Sequence, residues 1–246
     1  MNVYGLIGYP LTHSFSKKYF TEKFERENIK NSRYELFEIR EVSEVKKLVD
    51  SVKDLRGLNV TIPHKQTVMP LLDEIDAAAS RIGAVNVIKI SEGKLKGYNS
   101  DYYGFRESLK KFIQNSSGLR ALVLGTGGAA KAVSAALDDM NISYLYVSRQ
   151  KSQNALTYQD LDEKIIQQHQ LIINTTPSGM YPSVNECPDI PYSLITPAHY
   201  LYDLVYNPEE TLFMLNGKKQ GAQVKNGLEM LYLQAEKAWE IWNQKL

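Results

Sequence analysis

The chain has 246 residues, 43% hydrophobic and 23% charged, with a net charge of +1. That is enough chain for one large core or two smaller ones, and the composition is that of an ordinary globular protein. Near-neutral charge offers no basic face for nucleic acid, and no apolar run approaches the roughly 20 residues that a membrane helix needs.

Residues 3–9 read as a strand, and 15–28 as a helix carrying Tyr19, Phe20 and Phe24 on one face. A second strand at 34–39, a helix at 42–52 and a third strand at 58–62 follow. Pro63 suits the first turn of a helix over 65–72, and another helix is expected over 76–82. Residues 86–90 and 94–98 pair as a hairpin about Glu92-Gly93. This alternation predicts an α/β domain with a largely parallel sheet. A helix over 102–113 leads into Gln114-Asn115-Ser116-Ser117-Gly118, a turn-rich stretch and a candidate boundary. Beyond it, strands at 120–124, 143–147, 171–174 and 200–204, with a helix over 129–140, make a second doubly wound unit. The last helix, 228–242, lines up Leu228, Leu231, Tyr232, Ala235, Trp239 and Trp242, a stripe that must pack on other structure.

Cys187 is the only cysteine, so no intrachain disulfide can form, and the first residues read as a strand, not a leader; a cytoplasmic location is expected. The four histidines are scattered, without metal-ligand spacing to one another or to Cys187, so no metal is expected. Monomer and homodimer both stay open.

The segment Leu124-Gly125-Thr126-Gly127-Gly128-Ala129-Ala130 follows a strand and opens a helix, and Gly125, Gly127 and Ala130 fit G-x-G-x-x-A. Small residues there let backbone approach a pyrophosphate at the positive end of the helix, although a purely structural glycine turn looks alike. An NAD site has Asp or Glu at the end of the next strand, to bond the ribose hydroxyls. Here Ser148-Arg149-Gln150-Lys151 stands instead. Arg149, with Ser148 and Lys151 as further donors, suits a 2′-phosphate and favours NADP over NAD; solvated loop charges are the less favoured alternative.

In the first half, Ser14 and Ser16 open a helix, where two hydroxyls beside exposed N–H groups suit a carboxylate, and where a plain Ser cap would look the same. Asn59, Thr61 and Lys65 fall at the C-terminal end of a strand, the place where open α/β sheets hold ligands. Asn86 lies among small and apolar neighbours, and Asp101 closes Gly97-Tyr98-Asn99-Ser100-Asp101. An ammonium and a carboxylate in a dry site can pass or order a proton.

These segments closely resemble the shikimate dehydrogenase family. The matching blocks are Ser14-x-Ser16, Asn59-Val60-Thr61-x-Pro63-x-Lys65, Gly83-Ala84-Val85-Asn86 and Asn99-x-Asp101-x-x-Gly104. Gly125-x-Gly127-Gly128-Ala129, Asn174-Thr175-Thr176-Pro177-x-Gly179-Met180, Asp203-x-Val205-Tyr206-x-Pro208 and Gly227-x-x-Met230-Leu231 with Gln234-Ala235 continue it over nearly the whole chain. The resemblance implies an α/β fold with an N-terminal substrate domain at 1–101 and a Rossmann-type NADP-binding domain at 102–217. A C-terminal segment at 218–246 would return to the first domain.

By position, the resemblance makes Ser14, Ser16 and Tyr206 the holders of a substrate carboxylate. Thr61, Asn86, Asp101 and Gln234 would bond ring hydroxyls, and Lys65 would be the acid/base, held in place by Asp101. Gly125, Thr126, Gly127, Gly128, Ala129, Ser148, Arg149 and Lys151 would hold NADP, with Leu204 and Gly227 at its nicotinamide end. Departures are Thr126 for a common Ala, Ser148-Arg149-Gln150 for Asn-Arg-Thr, Ser100 for Thr, and His64 for Phe. The implied activity is reversible, NADPH-dependent reduction of 3-dehydroshikimate to shikimate. Two alternatives are an enzyme of the same family acting on quinate with NAD, and a non-catalytic ligand-binding paralogue.

Overall fold

Two six-stranded sheets organise the protein, with strand orders β2-β1-β3-β5-β6-β4 and β12-β11-β10-β7-β8-β9. The computed structural model describes residues 1–11, 14–114 and 116–244; His13 and Asn115 lie outside the described residues. The chain divides into two compact units, Met1–Ser100 with Ala235–Leu246, and Asp101–Gln234.

In the first unit, β1 (Asn2–Gly8) is flanked in parallel by β2 (Ser32–Glu38) and β3 (Leu55–Val60). α1 (Phe15–Arg26) joins β1 to β2, and α2 (Glu44–Ser51) joins β2 to β3. The sheet is mixed, because β5 (Val87–Ser91) runs antiparallel to both β3 and β6 (Lys94–Tyr98). For β5 and β6 the cause is the tight turn at Glu92 and Gly93, both at positive φ (52° and 76°), which returns the chain beside itself. A short β4 (Glu74–Ile75) pairs in parallel with β6, and α3 (Ala77–Ile82) follows it.

Alternation along β1 sorts the core. Val3 and Ile7 join Leu58, Ile88 and Val45 on one face, whereas Tyr4 and Leu6 meet Phe20, Phe24, Tyr34 and Trp242 on the other. The aromatic cluster is tied down by polar bonds. The Trp242 indole N–H donates to the Ile88 carbonyl at 3.0 Å. Buried Lys23 pairs with Glu27 at 2.9 Å and with Glu236 at 2.7 Å.

No helix forms over 65–72. The segment runs as successive turns, with Val68 N–H on the His64 carbonyl, and closes in a 3-10 turn at Met69–Leu71. Pro70 has no N–H to give the Gln66 carbonyl, which takes that of Met69 at 3.2 Å instead, so the tighter i→i+3 pattern prevails.

The second unit begins with α4, which spans Ser100–Phe112 and so starts one residue earlier, in the first. Then come β7 (Arg120–Leu124), α5 (Gly128–Asp139), β8 (Ser143–Ser148) and β9 (Ala155–Thr157). α6 (Glu163–Gln168), β10 (Leu171–Asn174), β11 (Tyr200–Asp203), α7 (Leu212–Lys219) and β12 (Gln223–Lys225) complete it. Every neighbouring pair is parallel, and the order reverses between β7 and β10, the switch point where a doubly wound sheet takes its ligand. Residues 218–234 group with this unit, since β12 pairs with β11 and Met230 joins the core of β7 and α5. The final helix, α8 (Leu228–Asn243), passes from the second unit to the first at Gln234–Ala235.

Candidate functional site

In the first unit the singled-out residues gather where β1 and β3 end. Ser14 is the N-cap of α1, its Oγ accepting the Lys17 N–H at 3.2 Å. Ser16 lies one residue inside the helix, half-buried. Thr61 leaves β3 with its N–H on the Ile7 carbonyl at 2.9 Å. His64, buried, places Nε2 2.9 Å from the Ile39 carbonyl, which pins the turn to the chain leaving β2. The Lys65 carbonyl takes the Val85 N–H at 2.7 Å, so the half-buried Lys65 side chain starts from a fixed backbone.

Asn86 follows, 3% exposed, with its carboxamide turned to Ser100: Oδ1 accepts Ser100 N–H at 2.6 Å and Nδ2 donates to Ser100 Oγ at 3.0 Å. Nδ2 carries a second hydrogen beyond the one given to Ser100. Asn99 braces the same segment by donating to the Ala84 carbonyl at 3.0 Å.

In the second unit, Gly125 sits at φ 108°, a conformation that side chains rarely adopt, and its N–H bonds the Val147 carbonyl at 2.8 Å. A Cβ there would also lie 2.8 Å from Thr175 Oγ1. Gly127 caps α5 without a side-chain acceptor, and a Cβ on it would point into open space. Thr126 is exposed, while Gly128 and Ala129 are half-buried in the first turn. Open backbone at a positive helix end fits a phosphate.

Ser148 ends β8 with its hydroxyl holding the local turn, donating to the Gln150 carbonyl at 2.9 Å and accepting the Gln150 N–H at 3.1 Å. Arg149 and Lys151 are exposed; Arg149 acts on the Tyr158 phenol and Lys151 on the Asp160 carboxylate. Gly227 backs onto Leu204, and a Cβ at Gly227 would collide with the Leu204 carbonyl, so only glycine permits this approach.

Behind these loops lies a carboxylate that the sequence motifs mark only as part of a block. Asp203 is fully buried, takes Asn174 Nδ2 at 2.9 Å and Val205 N–H at 3.0 Å on Oδ1, and takes Thr211 Oγ1 at 2.6 Å on Oδ2. Burial pushes its carboxyl up to about 6 against the pull of those donors. Asn174 in turn accepts the Thr176 hydroxyl at 2.6 Å, so one network braces the turns after β10 and β11.

Asp101 is in the first turn of α4, 9% exposed, where the helix N-terminus favours a negative charge. Gln234, 8% exposed, donates to the Leu231 carbonyl at 2.9 Å. Gly104 brings their two helices together: a Cβ on it would stand 2.6 Å from the Met230 carbonyl and 2.9 Å from Gln234 N. Tyr206 is half-buried, and burial raises its phenol pKa.

Thus Ser16, Thr61, Lys65 and Asn86 share one end of the first sheet, and the 125–129 turn meets the end of β8 in the second unit. Tyr34 and Asp203 gave no individual signal: an aromatic residue in a strand reads as core, and an Asp at the end of a strand reads as a turn.

The family model of the shikimate dehydrogenase substrate binding domain matches residues 6–88. A shikimate dehydrogenase (NADP(+)) of Clostridium beijerinckii is 43% identical, covering 99% of this chain and 93% of the relative. The crystal structure of shikimate dehydrogenase 1 from Peptoclostridium difficile is 40% identical, covers 100% of this chain and 93% of that one, and superposes with a TM-score of 0.86. Shikimate 5-dehydrogenase of Thermus thermophilus, solved in complex with NADP(H) and shikimate, is 28% identical, covers 100% and 95%, and has a TM-score of 0.87. By this identity over nearly its full length, the chain belongs to the shikimate dehydrogenase family.

Proposed function

We propose that the protein catalyses the reversible, NADPH-dependent reduction of 3-dehydroshikimate to shikimate, a step toward chorismate and the aromatic amino acids. The observation that carries it is the coexistence of two built ends in a chain of this family: a backbone-fixed Lys65 among Thr61 and Asn86, and an open glycine turn beside Arg149.

NADP, when bound, supplies or takes the hydride. The residues that would hold it fit: exposed N–H groups at the start of α5, Thr126 beside them, Ser148, Arg149 and Lys151 for a 2′-phosphate, and the Leu204–Gly227 contact for the nicotinamide end. Arg149 presents a planar fork of donors suited to a phosphate, whereas an NAD site would place a carboxylate at that strand end.

On the substrate, Lys65 gives a proton to the carbonyl oxygen as it becomes a hydroxyl, and takes it back in the reverse direction. Thr61, Asn86, Asp101 and Gln234 orient the ring by its hydroxyls; Ser14, Ser16 and Tyr206 hold the carboxylate. The domain reading keeps 1–101 for substrate and 102–217 for cofactor. A cytoplasmic, monomeric or homodimeric enzyme completes the proposal, supported by a lone cysteine that permits no intrachain disulfide.

The test is steady-state oxidation of shikimate, followed at the nicotinamide band, with NADP and NAD in parallel and quinate as competing substrate. Shikimate with NADP should give the highest kcat/KM. Faster turnover of quinate with NAD would replace this reading, and cofactor binding without turnover of either acid would end it.

A further inference from the structure

Asp203 and Asn174 are register partners at the ends of β11 and β10, and both are fully buried. Three neutral donors converge on the Asp203 carboxylate, with no cation among them. Packing alone would be served by an apolar residue, and burying an acid there costs stability, so the reason for it lies in what its bonds hold.

Oδ1 receives the Asn174 amide and the Val205 N–H, while Oδ2 receives the hydroxyl of Thr211, the N-cap of α7. Asn174 passes the hold outward: its Oδ1 accepts the Thr176 N–H at 3.0 Å and the Thr176 hydroxyl at 2.6 Å, and its Nδ2 reaches the Ser178 carbonyl at 3.3 Å. Its backbone carbonyl takes the Leu204 N–H at 2.9 Å, and the Val205 carbonyl takes the Gly227 N–H at 3.1 Å. The pair therefore fixes two loops, 175–178 after β10 and 204–205 after β11. The Thr175 hydroxyl, donating to the Leu124 carbonyl at 2.6 Å, sets the first loop against the glycine turn. In the sheet, β8 lies on one side of β7, and β10 and β11 lie on the other. The residues proposed for a 2′-phosphate end one side, and the loops held by Asp203 end the other.

We propose that Asp203 is a positioning residue for the nicotinamide half of NADP, acting through Asn174 and Val205. A loop left to itself has many conformations of similar energy, and a ligand that must select one of them binds more weakly by the cost of ordering it. The two bonds on Oδ1 settle that choice during folding. Leu204 shows the effect most directly: its own N–H is tied to Asn174, the next N–H is tied to Asp203, and its carbonyl lies against Gly227. Asp203 itself is fully buried and touches neither cofactor nor substrate in this scheme. The inference rests on the proposed use of NADP and names a residue that such use alone does not require.

The experiment compares Asp203→Leu, which removes both oxygens, with Asp203→Asn, whose remaining oxygen can still accept from Asn174 and Val205. Dissociation constants are measured by calorimetry, without substrate, for NADPH and for adenosine 2′,5′-bisphosphate, which lacks the nicotinamide half. Asp203→Leu should weaken NADPH about tenfold, the worth of one or two hydrogen bonds, and the bisphosphate by less than about twofold. Asp203→Asn should leave both ligands within about twofold of wild type. Unchanged NADPH binding with a lowered Tm would mean that Asp203 only supports the core. Equal losses for the two ligands would mean that the whole site deforms, and a loss in Asp203→Asn as large as that in Asp203→Leu would mean that the held loops are not the cause; each result overturns the inference. Should Asp203→Leu fail to fold, Thr176→Val removes the hydroxyl given to Asn174 and keeps the shape of the side chain. NADPH must then weaken at least about threefold with the bisphosphate unchanged, or the inference is wrong. Wild-type NADPH binding and shikimate turnover are measured alongside: absence of binding defeats the proposed function and this inference together, whereas wild-type turnover with an Asp203→Leu protein that binds NADPH normally defeats the inference alone.

Discussion

Asp203→Asn tests whether the buried carboxylate behind the second unit's loops is a burden above neutral pH. Its carboxyl is held at about 6 against an ordinary value of 3.8, because burial disfavours the charge more than three hydrogen bonds favour it. For an acid whose native pKa is raised, the stabilising contribution is full below 3.8 and is lost as pH rises through 6. The gap amounts to about 3 kcal/mol, of which roughly half, about 1.4 kcal/mol, falls between pH 5 and pH 8. Asparagine imitates the protonated acid: its oxygen can accept from Asn174 and Val205, and its amide can donate to Thr211 Oγ1. Urea unfolding of both proteins at pH 5 and pH 8 cancels the other titrating groups in the difference. The mutant should gain about 1.4 kcal/mol relative to wild type over that range. A difference that stays flat within about 0.3 kcal/mol would show that Asp203 titrates alike folded and unfolded, and the burial argument would fail.

Lys65→Ala should lower kcat by about 10²–10⁴ with a much smaller change in KM for shikimate, the signature of a lost proton donor; near-normal kcat would remove Lys65 from the chemistry. Arg149→Ala should raise KM for NADP by about tenfold or more while leaving KM for NAD within about twofold, and equal effects on both cofactors would argue against 2′-phosphate recognition. Gly227→Ala forces a Cβ onto the Leu204 carbonyl, so thermal unfolding should drop by several degrees and KM for NADP should rise; an unperturbed variant would show that the backbone yields there easily.

Much of this was legible wherever a residue type has few other uses. Gly125-Thr126-Gly127 after the apolar run of β7 announced a turn from strand to helix, and the structure shows why Gly125 stands there, at a positive φ that side chains rarely adopt. Glu92-Gly93 announced the hairpin but not that it would make the first sheet mixed, since the antiparallel partner of β3 is chosen by tertiary packing. No helix forms over 65–72 because Pro70 has no N–H to give, a constraint that apolar periodicity does not carry. β9 and β12 span three residues each, too short for a period of two to declare itself. Tyr34 and Asp203 were invisible for another reason. What they bond, Asn59 for one and Asn174 for the other, are partners that only the fold brings near, and no local pattern encodes that.

The hydrogen bonds already made inside the protein divide the candidate residues into two kinds. Ser14 and Ser148 have hydroxyls engaged in a helix cap and a turn, so a ligand at either place would be met chiefly by the backbone N–H groups those hydroxyls organise. Asn86 is similarly engaged with Ser100, and its second amide hydrogen points from a group that cannot turn. Such groups discriminate by fixed geometry: a misplaced ring hydroxyl leaves a buried polar atom unsatisfied, which is costlier than a weakened contact. Arg149 is the opposite case, an exposed guanidinium on a loop, able to follow a phosphate with its fork of donors. Substrate choice should therefore tolerate little change at Asn86 and its supports, whereas cofactor choice should shift with single substitutions at the end of β8.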